Sequence, residues 1–383
     1  MQKIFFDTYY ENASPLICEE SSPGVYELTL IPDHERLTRN CQTTHWNFRI
    51  LAEPEMIGSS VLLRFRSTDN TWNGSPNPPL RYDRLTSCVR HGNRDWTPVR
   101  MRESGDPGVR KELLLDIQGV ETQVCNVVPY TESDLNRLLK KMDGFPRVRV
   151  YPIGASVEGR PLEMIEFGNP RARHKVLLRA RAHPWETGGN WLIEGLFDRL
   201  MKNDVPCGGL LEKVCFCVLP MACKDGVARG MTRYNIRGCD LNRGWRSTDS
   251  FDPVLCPENH ALQTWLNHRN AAKDLPDLAI CIHNDDDGMI HLSSGSDAPA
   301  GYGKRAKSFT DLLRKHTWFA EGVKESLPGE DTFASGLCRI YGIDSMTYEL
   351  NASWSVGLHR EILHTDWIQL GAAFVDVIGG YYP

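Results

Sequence analysis

The strongest constraint in this sequence is a change of hydrophobic pattern near residue 145, which divides the 383 residues into two parts. After this point, short apolar runs typical of buried strands alternate with longer stretches of helical periodicity. Such alternation indicates an α/β domain with helices on both faces of a mostly parallel sheet. The predicted strands are residues 176–180, 214–219, 278–282 and 343–348, and the predicted helices are residues 190–201, 259–270, 309–320 and 362–378.

The part before residue 145 is rich in short β-type runs that are separated by turn-forming stretches, which is typical of an antiparallel β-sandwich. The clearest turn-forming stretch is residues 69–79, whose proline and glycine content argues against a regular element. The clearest strand candidates are residues 24–30, 60–66 and 112–117.

The boundary between the two parts is marked by a helix start and a break. Thr131 and Asp134 have the spacing of a capping motif, so we predict one helix that ends at the Gly144-Phe145-Pro146 break. We therefore expect a β-sandwich domain over residues 1–143 and an α/β domain over residues 144–383.

Composition limits the classes of partner. The net charge is -5 and no lysine or arginine cluster is present, which argues against nucleic acid and membrane-surface partners. No apolar run approaches the roughly 18 residues that a membrane span needs, and the apolar stretch at the start is too short for a signal peptide. Twelve cysteines are scattered singly, as in reduced proteins. We expect a cytoplasmic protein that acts on a small molecule or a peptide.

Polar residues of one chemical type follow the predicted strands. The first strand leads into His183 and Glu186, the third leads into His283, and the last ends at Glu349. Chemistry in α/β sheets collects at the carboxyl ends of the strands. Two imidazoles and one carboxylate that converge there can hold a catalytic zinc ion and leave one coordination position open. A His and a Glu at this spacing are also common by chance, and a hydrogen-bonded pair that caps the next helix is the alternative.

Longer motifs favour the zinc interpretation. His183-Pro184-Trp185-Glu186, read together with Asp240-Leu241-Asn242-Arg243, resembles the pattern of the zinc carboxypeptidases of the M14 type. Further segments resemble the cytosolic carboxypeptidase subgroup, which also places a β-sandwich before its catalytic domain. The resemblance implies a carboxypeptidase-like mixed twisted sheet with helices on both faces. The subgroup-like segments are residues 128–135, 153–160 and 219–226.

The resemblance implies a role for each strand-end residue. His183, Glu186 and His283 match the ligands of one Zn²⁺ ion per chain, and Glu349 matches the general base of peptide hydrolysis. The implied substrates are the C-termini of peptides or proteins. The alternative for Glu349 is a strand-end carboxylate in a salt bridge.

Four further residues match the family's substrate-binding and supporting groups. Arg233 matches the cation that stabilises the developing oxyanion, with Arg237 as a nearby competitor. Asn242 and Arg243 match the pair that binds the terminal carboxylate of the substrate. Asp240 matches a carboxylate that orients a zinc-bound imidazole.

The sequence departs from the family pattern beside the expected zinc ligands. Trp185 replaces the usual glycine, and Asp285, Asp286 and Asp287 follow the third ligand either as a solvated loop or as a negative wall that disfavours acidic peptides. No tyrosine stands where digestive members carry a mobile one. Family members that remove glutamate place a basic residue beside the base, and Arg339 is the candidate for a preference for acidic C-terminal residues. The alternative is that Arg339 pairs with a neighbouring acid.

Two other functions remain open at this point. Related zinc hydrolases remove acyl groups from N-acyl amino acids and use a similar metal site and carboxylate-binding arginine. A catalytically silent peptide-binding module is the second alternative, although every expected ligand and the base are present in the sequence.

Overall fold

The structure is a computed structural model that describes residues 3–66, 70–77, 85–106, 109–202 and 205–383. Its N-terminal part is a sandwich of two five-stranded sheets around a common core that includes Trp46, Phe48 and Phe65. The strands of this part are β1 (Ile4–Asp7), β2 (Leu16–Ser22), β3 (Val25–Leu30), β4 (Asp33–His34), β5 (Cys41–Gln42), β6 (Asn47–Ala52), β7 (Ser60–Arg66), β8 (Asn70–Trp72), β9 (Ser75–Asn77), β10 (Thr86–His91), β11 (Thr97–Arg100), β12 (Arg102–Glu103), β13 (Val109–Asp116) and β14 (Glu121–Cys125).

The two sandwich sheets confirm the predicted antiparallel architecture with one exception. The first sheet has the order β1-β6-β14-β10-β11 and is antiparallel throughout. The second has the order β12-β13-β7-β3-β2, in which the pair β3 and β7 runs parallel. The long connection between these two strands through β4, β5 and β6 allows the parallel pairing, which a hairpin would not.

A small third sheet, of order β4-β5-β8-β9, corrects the interpretation of residues 69–79. Within the described part of that stretch, β8 and β9 form a hairpin, and residues 69, 78 and 79 lie outside the described part. The hairpin turns at Asn73 and Gly74, which both have positive φ, 50° and 76°. Asn-Gly is the preferred pair for this kind of two-residue turn. The turn-forming residues Asn73 and Gly74 therefore connect two paired strands, whereas the composition of residues 69–79 argued against a regular element.

The second part of the chain is built on one eight-stranded mixed sheet of order β15-β16-β18-β17-β19-β22-β20-β21. Its central strands β18, β17, β19 and β22 are mutually parallel, and their carboxyl ends share one edge. A two-stranded ribbon of β23 and β24 follows. The strands are β15 (Val148–Ala155), β16 (Pro161–Phe167), β17 (His174–Ala180), β18 (Val214–Leu219), β19 (Leu278–Asp285), β20 (Ile290–Leu292), β21 (Val323–Glu325), β22 (Asp344–Asn351), β23 (Trp354–Ser355) and β24 (Arg360–Glu361).

Helices cover both faces of the large sheet, as predicted. One face packs against helices that bury residues such as Leu196, Phe309 and Phe374, and the other packs against helices that bury Leu262 and Leu337. The predicted helix at residues 309–320 begins earlier than expected, at Tyr302. The helices are α1 (Glu132–Met142), α2 (Gly188–Met201), α3 (Val205–Lys213), α4 (Lys224–Ala228), α5 (Pro257–Ala271), α6 (Tyr302–His316), α7 (Phe333–Tyr341) and α8 (His364–Tyr381), with 3₁₀ turns at Pro54–Met56 and Gly295–Asp297.

Helix α1 confirms the predicted capping motif, because the Thr131 side chain accepts from the backbone N–H of Asp134 and the Asp134 carboxylate accepts from Thr131. Leu138 and Met142 of this helix belong to the core of the large sheet. The division at residues 143 and 144 stays a prediction. Among the described residues, no helix combines the length and the apolar character that crossing a bilayer requires.

The end of α4 and the loop that follows it are held by the N-terminal part of the chain. The Asn12 side chain donates to the carbonyl of Val227, 2.8 Å away. The Asp33 carboxylate accepts from the backbone N–H groups of Arg233 and Tyr234 at 2.7 and 2.9 Å. Gly230 has a φ of +63°, and a Cβ at this position would stand 2.0 Å from the carbonyl oxygen of Ala13. This loop therefore takes its shape against residues 12–33.

Candidate metal centre and active site

Three side chains from the carboxyl ends of two neighbouring strands meet at the edge of the large sheet. Glu186 Oε1 lies 2.7 Å from His183 Nδ1, and Glu186 Oε2 lies 2.7 Å from His283 Nδ1. The two Nδ1 atoms are 3.2 Å apart, and all three residues are buried. The sequence predicted these residues as a set, and the structure brings them together.

The charges at this centre are strongly coupled. Burial acts to raise the pKa of Glu186, but His183 and His283 outweigh this effect and lower it to about 2. A carboxylate that stays ionised between two imidazoles is a suitable partner for a cation. Two histidines and one glutamate are also the donor set of catalytic zinc sites that keep an open position. The residues present therefore fit a zinc ion.

The second ring nitrogen of each imidazole, Nε2, also has a polar partner. His183 Nε2 lies 3.1 Å from Asp240 Oδ1, and His283 Nε2 lies 3.1 Å from the Sγ atom of Cys281. Because these partners engage the Nε2 atoms, the Nδ1 atoms face Glu186. Partners of this kind fix the tautomer and the orientation of metal-binding histidines. This arrangement supports the fit to a metal.

Asp240 connects the centre to a neighbouring arginine. Its other oxygen, Oδ2, accepts from Arg233 Nε at 2.9 Å and from Nη2 at 2.8 Å. Burial acts to raise the pKa of Asp240, but Arg233 and His183 outweigh it and hold the pKa well below its usual range. Two of the three guanidinium nitrogens of Arg233 thus donate to Asp240, and the two N–H groups of Nη1 and the second N–H of Nη2 are not used in this pair.

The centre opens into a cavity of about 770 Å³, which also contains most of the other predicted site residues. A cavity of this size is large enough for a small molecule or the end of a peptide. The predicted residues on its lining are His183, Glu186, Arg233, Asn242, Arg243 and Glu349.

Glu349 lies on β22, directly opposite His283 on β19 in the parallel register. Its carboxylate approaches Asp285 and His291, and the ligand atoms of these three residues lie within 4.8 Å of one another. Burial raises the pKa of Glu349 well above its usual range, and the negative charge of Asp285 adds to this effect. The cavity therefore contains a perturbed carboxylate one strand away from the histidine pair.

Asn242 and Arg243 are oriented by local hydrogen bonds. The Asn242 Oδ1 atom accepts from the backbone N–H of Phe333 at 3.0 Å, so its amide nitrogen is the atom that can donate to a ligand. Arg243 Nη1 donates to the carbonyl of Asn242 at 2.9 Å. Arg237, the competitor of Arg233, is exposed and does not line the cavity.

The sequence analysis missed an N-terminal contribution to this site. Trp72, at the end of β8, stacks on both arginines: its ring centroid lies 4.8 Å from Cζ of Arg233 and 5.5 Å from Cζ of Arg243. Asn70 of the same strand lines the cavity. The signal that could have found this element is the Asn73-Gly74 turn, which predicts a hairpin.

Arg339 is not brought to the cavity. Its guanidinium pairs with Asp297 at 3.2 Å and donates to the backbone carbonyls of Trp245 and Glu330. Arg339 is therefore not the basic residue that we expected beside the base. Its position on helix α7 directs its guanidinium toward these acceptors. A cation that does line the cavity is Lys324, which the sequence analysis did not single out.

The acidic segment after His283 belongs to the cavity wall, not to a solvated loop. Asp285, Asp286 and Asp287 all line the cavity. Burial raises the pKa of Asp285 to about 6 and that of Asp286 to about 7, with the neighbouring aspartates adding to both shifts. Trp185 also lines the cavity, so the residue that replaces the usual glycine lies beside the metal-binding side chains.

The comparisons with known proteins agree on one family. The sequence model of the zinc carboxypeptidase family (peptidase M14) matches residues 135–298, which include His183, Glu186 and His283 but not Glu349. Cytosolic carboxypeptidase 1 of Mus musculus is 37% identical over 114 residues, which are 30% of this chain and 9% of the mouse protein. The chain thus matches only a small part of that relative.

Solved structures match the whole chain. A metallo-carboxypeptidase from Burkholderia cenocepacia superimposes with a TM-score of 0.81 at 20% identity and covers 98% of both chains. A metallo-carboxypeptidase from Pseudomonas aeruginosa, solved with (2-guanidinoethylmercapto)succinic acid, superimposes with a TM-score of 0.78 at 19% identity and covers 99% of this chain and 98% of its own. These matches confirm the fold class.

Proposed function

We propose that this chain, which belongs to the zinc carboxypeptidase family, is a zinc-dependent metallocarboxypeptidase that hydrolyses the last peptide bond of its substrates. The observation that carries the proposal is the buried convergence of His183, Glu186 and His283 at the cavity that Glu349 also lines. The family is zinc-dependent in general, and peptides are the substrates that it implies.

We propose that His183, Glu186 and His283 hold one Zn²⁺ ion. When bound, the ion supplies a Lewis acid and lowers the pKa of a water molecule from about 16 to about 7. Glu349 would then act as the general base, because its carboxylate lies in the same cavity as His183 and Glu186. Glu349 accepts the proton of the attacking water and delivers it to the leaving amine.

Three further polar groups of the cavity lining bind the substrate in this proposal. Asn242 and Arg243 bind the terminal carboxylate, because a guanidinium and an amide donor match a planar carboxylate. Arg233 donates to the carbonyl oxygen on which negative charge develops, and Asp240 keeps its guanidinium in place. Recognition of a free carboxylate explains why such an enzyme removes residues from the end of a chain.

A preference for acidic C-terminal residues remains a proposal, and it now rests on Lys324. Lys324 lines the cavity that contains Glu349, whereas Arg339 is engaged with Asp297. The aspartates at 285–287 act in the opposite direction, because their negative charge repels acidic side chains. The preference therefore depends on which of these groups lies closer to the bound side chain.

We also propose a cytoplasmic location. All twelve cysteines lie in the described parts of the chain, and none of them forms a disulfide there, as is typical of a reducing compartment. The relatives named cytosolic carboxypeptidases support the same location.

The decisive experiment combines metal analysis with hydrolysis of peptides that differ only in their last residue. We expect one zinc per chain, cleavage of peptides with a free C-terminus, and little cleavage of the amidated forms. Glu349→Gln is the matched control, because it should keep the zinc and lose the activity.

Three outcomes would contradict parts of the proposal. Absence of stoichiometric metal in protein purified without chelators would remove the mechanism. Equal cleavage of amidated and free peptides would remove the roles of Asn242 and Arg243. Hydrolysis of N-acyl amino acids in place of peptides would indicate a deacylase, and binding of peptides without any hydrolysis would indicate a silent binding module.

A further inference from the structure

A second cavity, of about 610 Å³, lies between the outer face of the first sandwich sheet and helices α1, α2 and α8. It shares no lining residue with the cavity that contains Glu349. Four arginines line it: Arg49, Arg90, Arg94 and Arg137. This concentration of guanidinium groups has no part in the proposed peptide hydrolysis.

Two of these arginines belong to a row of side chains across three neighbouring strands. Arg49 on β6 is directly opposite Gln123 on β14, and Gln123 is directly opposite Arg90 on β10. Because neighbouring strands are about 4.8 Å apart, the two arginine backbones are separated by roughly 10 Å. The side chains of both arginines therefore extend from the same face, with the glutamine between them.

Both guanidinium groups are held by aromatic rings. Arg49 Cζ lies 4.1 Å from the ring centroid of Tyr10, and Arg90 Cζ lies 4.7 Å from that of Trp96. Arg90 Nη2 also donates to Gln123 Oε1 at 2.7 Å. Stacking of this kind orients a guanidinium and leaves its edge available for hydrogen bonds.

The charges of these two arginines are poorly compensated. Three carboxylates line the cavity. Those of Glu11 and Asp134 are used at the start of α1, where Glu11 accepts from the N–H of Glu132 at 2.8 Å and Asp134 accepts from the N–H of Thr131 at 2.6 Å. The third, Asp95, is exposed and makes no ion pair with either arginine among the described residues. The carboxylate of Asp7 comes only within 3.8 Å of Arg49.

The same two guanidinium groups also have unsatisfied donors. Arg90 has no ion pair among the described residues, and the Nε atoms of Arg49 and Arg90 are buried without a hydrogen-bond acceptor. A buried donor that lacks its acceptor is costly, so the two guanidinium groups are not fully satisfied by the fold itself.

We propose that this cavity binds a small, doubly charged oxyanion between Arg49 and Arg90. Phosphate esters and dicarboxylates share the required chemistry, because their oxygen atoms match the fork of a guanidinium. The volume lies in the range of small-molecule sites. This site is independent of the peptidase activity.

The test uses isothermal titration of the zinc-loaded full chain with inorganic phosphate and, in a second arm, with succinate. We expect one binding event per chain that persists in Arg243→Gln, and the anion that binds more tightly in this event identifies the source of the ligand. Arg49→Gln and Arg90→Gln should each weaken binding roughly tenfold to a hundredfold, since each removes a charged donor pair. Arg171→Gln, an equal change of charge at an exposed position, should leave the affinity unchanged.

A second variant keeps the proposal testable if the arginine variants fail to fold. Gln123→Glu retains both arginines and places a carboxylate between them, so it should raise the melting temperature without anion and weaken anion binding at least about tenfold. Unchanged affinity in Gln123→Glu would overturn the proposal. Loss of binding in Arg243→Gln alone would place the anion in the peptidase cavity and overturn it as well, as would the absence of binding at millimolar concentrations of either anion.

Discussion

The stacking of Trp72 on two substrate-binding arginines leads to a quantitative prediction for Trp72→Leu. The ring centroid lies 4.8 and 5.5 Å from the two guanidinium carbons, within the roughly 6 Å range of cation–π attraction. Such contacts are worth about 0.5–1 kcal/mol each at partly exposed positions. Loss of both should therefore cost about 1–2 kcal/mol of transition-state binding, which is roughly a 5- to 30-fold fall in kcat/KM.

The assay is steady-state hydrolysis of a peptide with a free C-terminus by the zinc-loaded protein. Trp72→Phe is the matched control, because it keeps an aromatic face over Arg233 and Arg243 and should stay close to the wild-type rate. Zinc content and melting temperature are measured for both variants. We expect the zinc content to be unchanged, because the proposed role of Trp72 acts through the arginines.

Three results would refute this reasoning. An unchanged kcat/KM in Trp72→Leu would show that Asp240 and the backbone are sufficient to orient the arginines. An equal loss in Trp72→Phe would show that the size of the indole matters and that its aromatic face does not. A fall in zinc content would assign the effect to the metal centre and contradict a role through the arginines.

Four further predictions follow from the site and its surroundings. Glu349→Gln should lower kcat about 10²- to 10⁴-fold with zinc retained, and loss of zinc in this variant would make Glu349 a ligand. Zinc added to chelator-treated protein should raise the melting temperature, and His283→Ala should abolish that response; a persisting response would place the metal elsewhere. Burial lowers the pKa of His45 to about 4, so the neutral ring stabilises the fold above pH 6.5 and this stability is lost as the pH falls toward 4. In His45→Gln, the fall in the urea-unfolding free energy of the metal-free protein between pH 6.5 and pH 4 should be smaller than in the wild type by about 3 kcal/mol. An equally large fall in the variant would show that His45 does not cause it. Arg339→Gln should destabilise the chain by about 2 kcal/mol and leave the ratio of rates on C-terminal glutamate and leucine unchanged; a changed ratio would return Arg339 to the substrate pocket.

The parts that the sequence predicts correctly are those that local patterns determine. Buried strands such as β18 appear as apolar runs, and the helix cap at Thr131 can be recognised from the four residues 131–134 alone. The convergence of His183 and His283 is predictable because parallel strands bring their carboxyl ends to the same edge of a sheet. Each of these inferences needs only periodicity, capping or topology.

The errors concern contacts between distant segments. Nothing near Arg339 in the sequence indicates that Asp297 and two carbonyl groups take up its guanidinium. The pairing of Trp72 with Arg233 and Arg243 likewise depends on how the small N-terminal sheet packs against a loop far along the chain. Such contacts follow from packing, which a single sequence does not reveal.

The contacts of Asn12, Asp33 and Gly230 have a consequence for the order of folding. The loop that leads to Asp240 and its neighbours is bonded to residues 12–33 through its own backbone. The N-terminal strands leave the ribosome long before this loop is synthesised, and domains generally fold in that order. We therefore expect the sandwich to be in place as a template when the substrate-binding loop emerges, and we expect a fragment that starts at residue 144 to lack these backbone contacts of the loop.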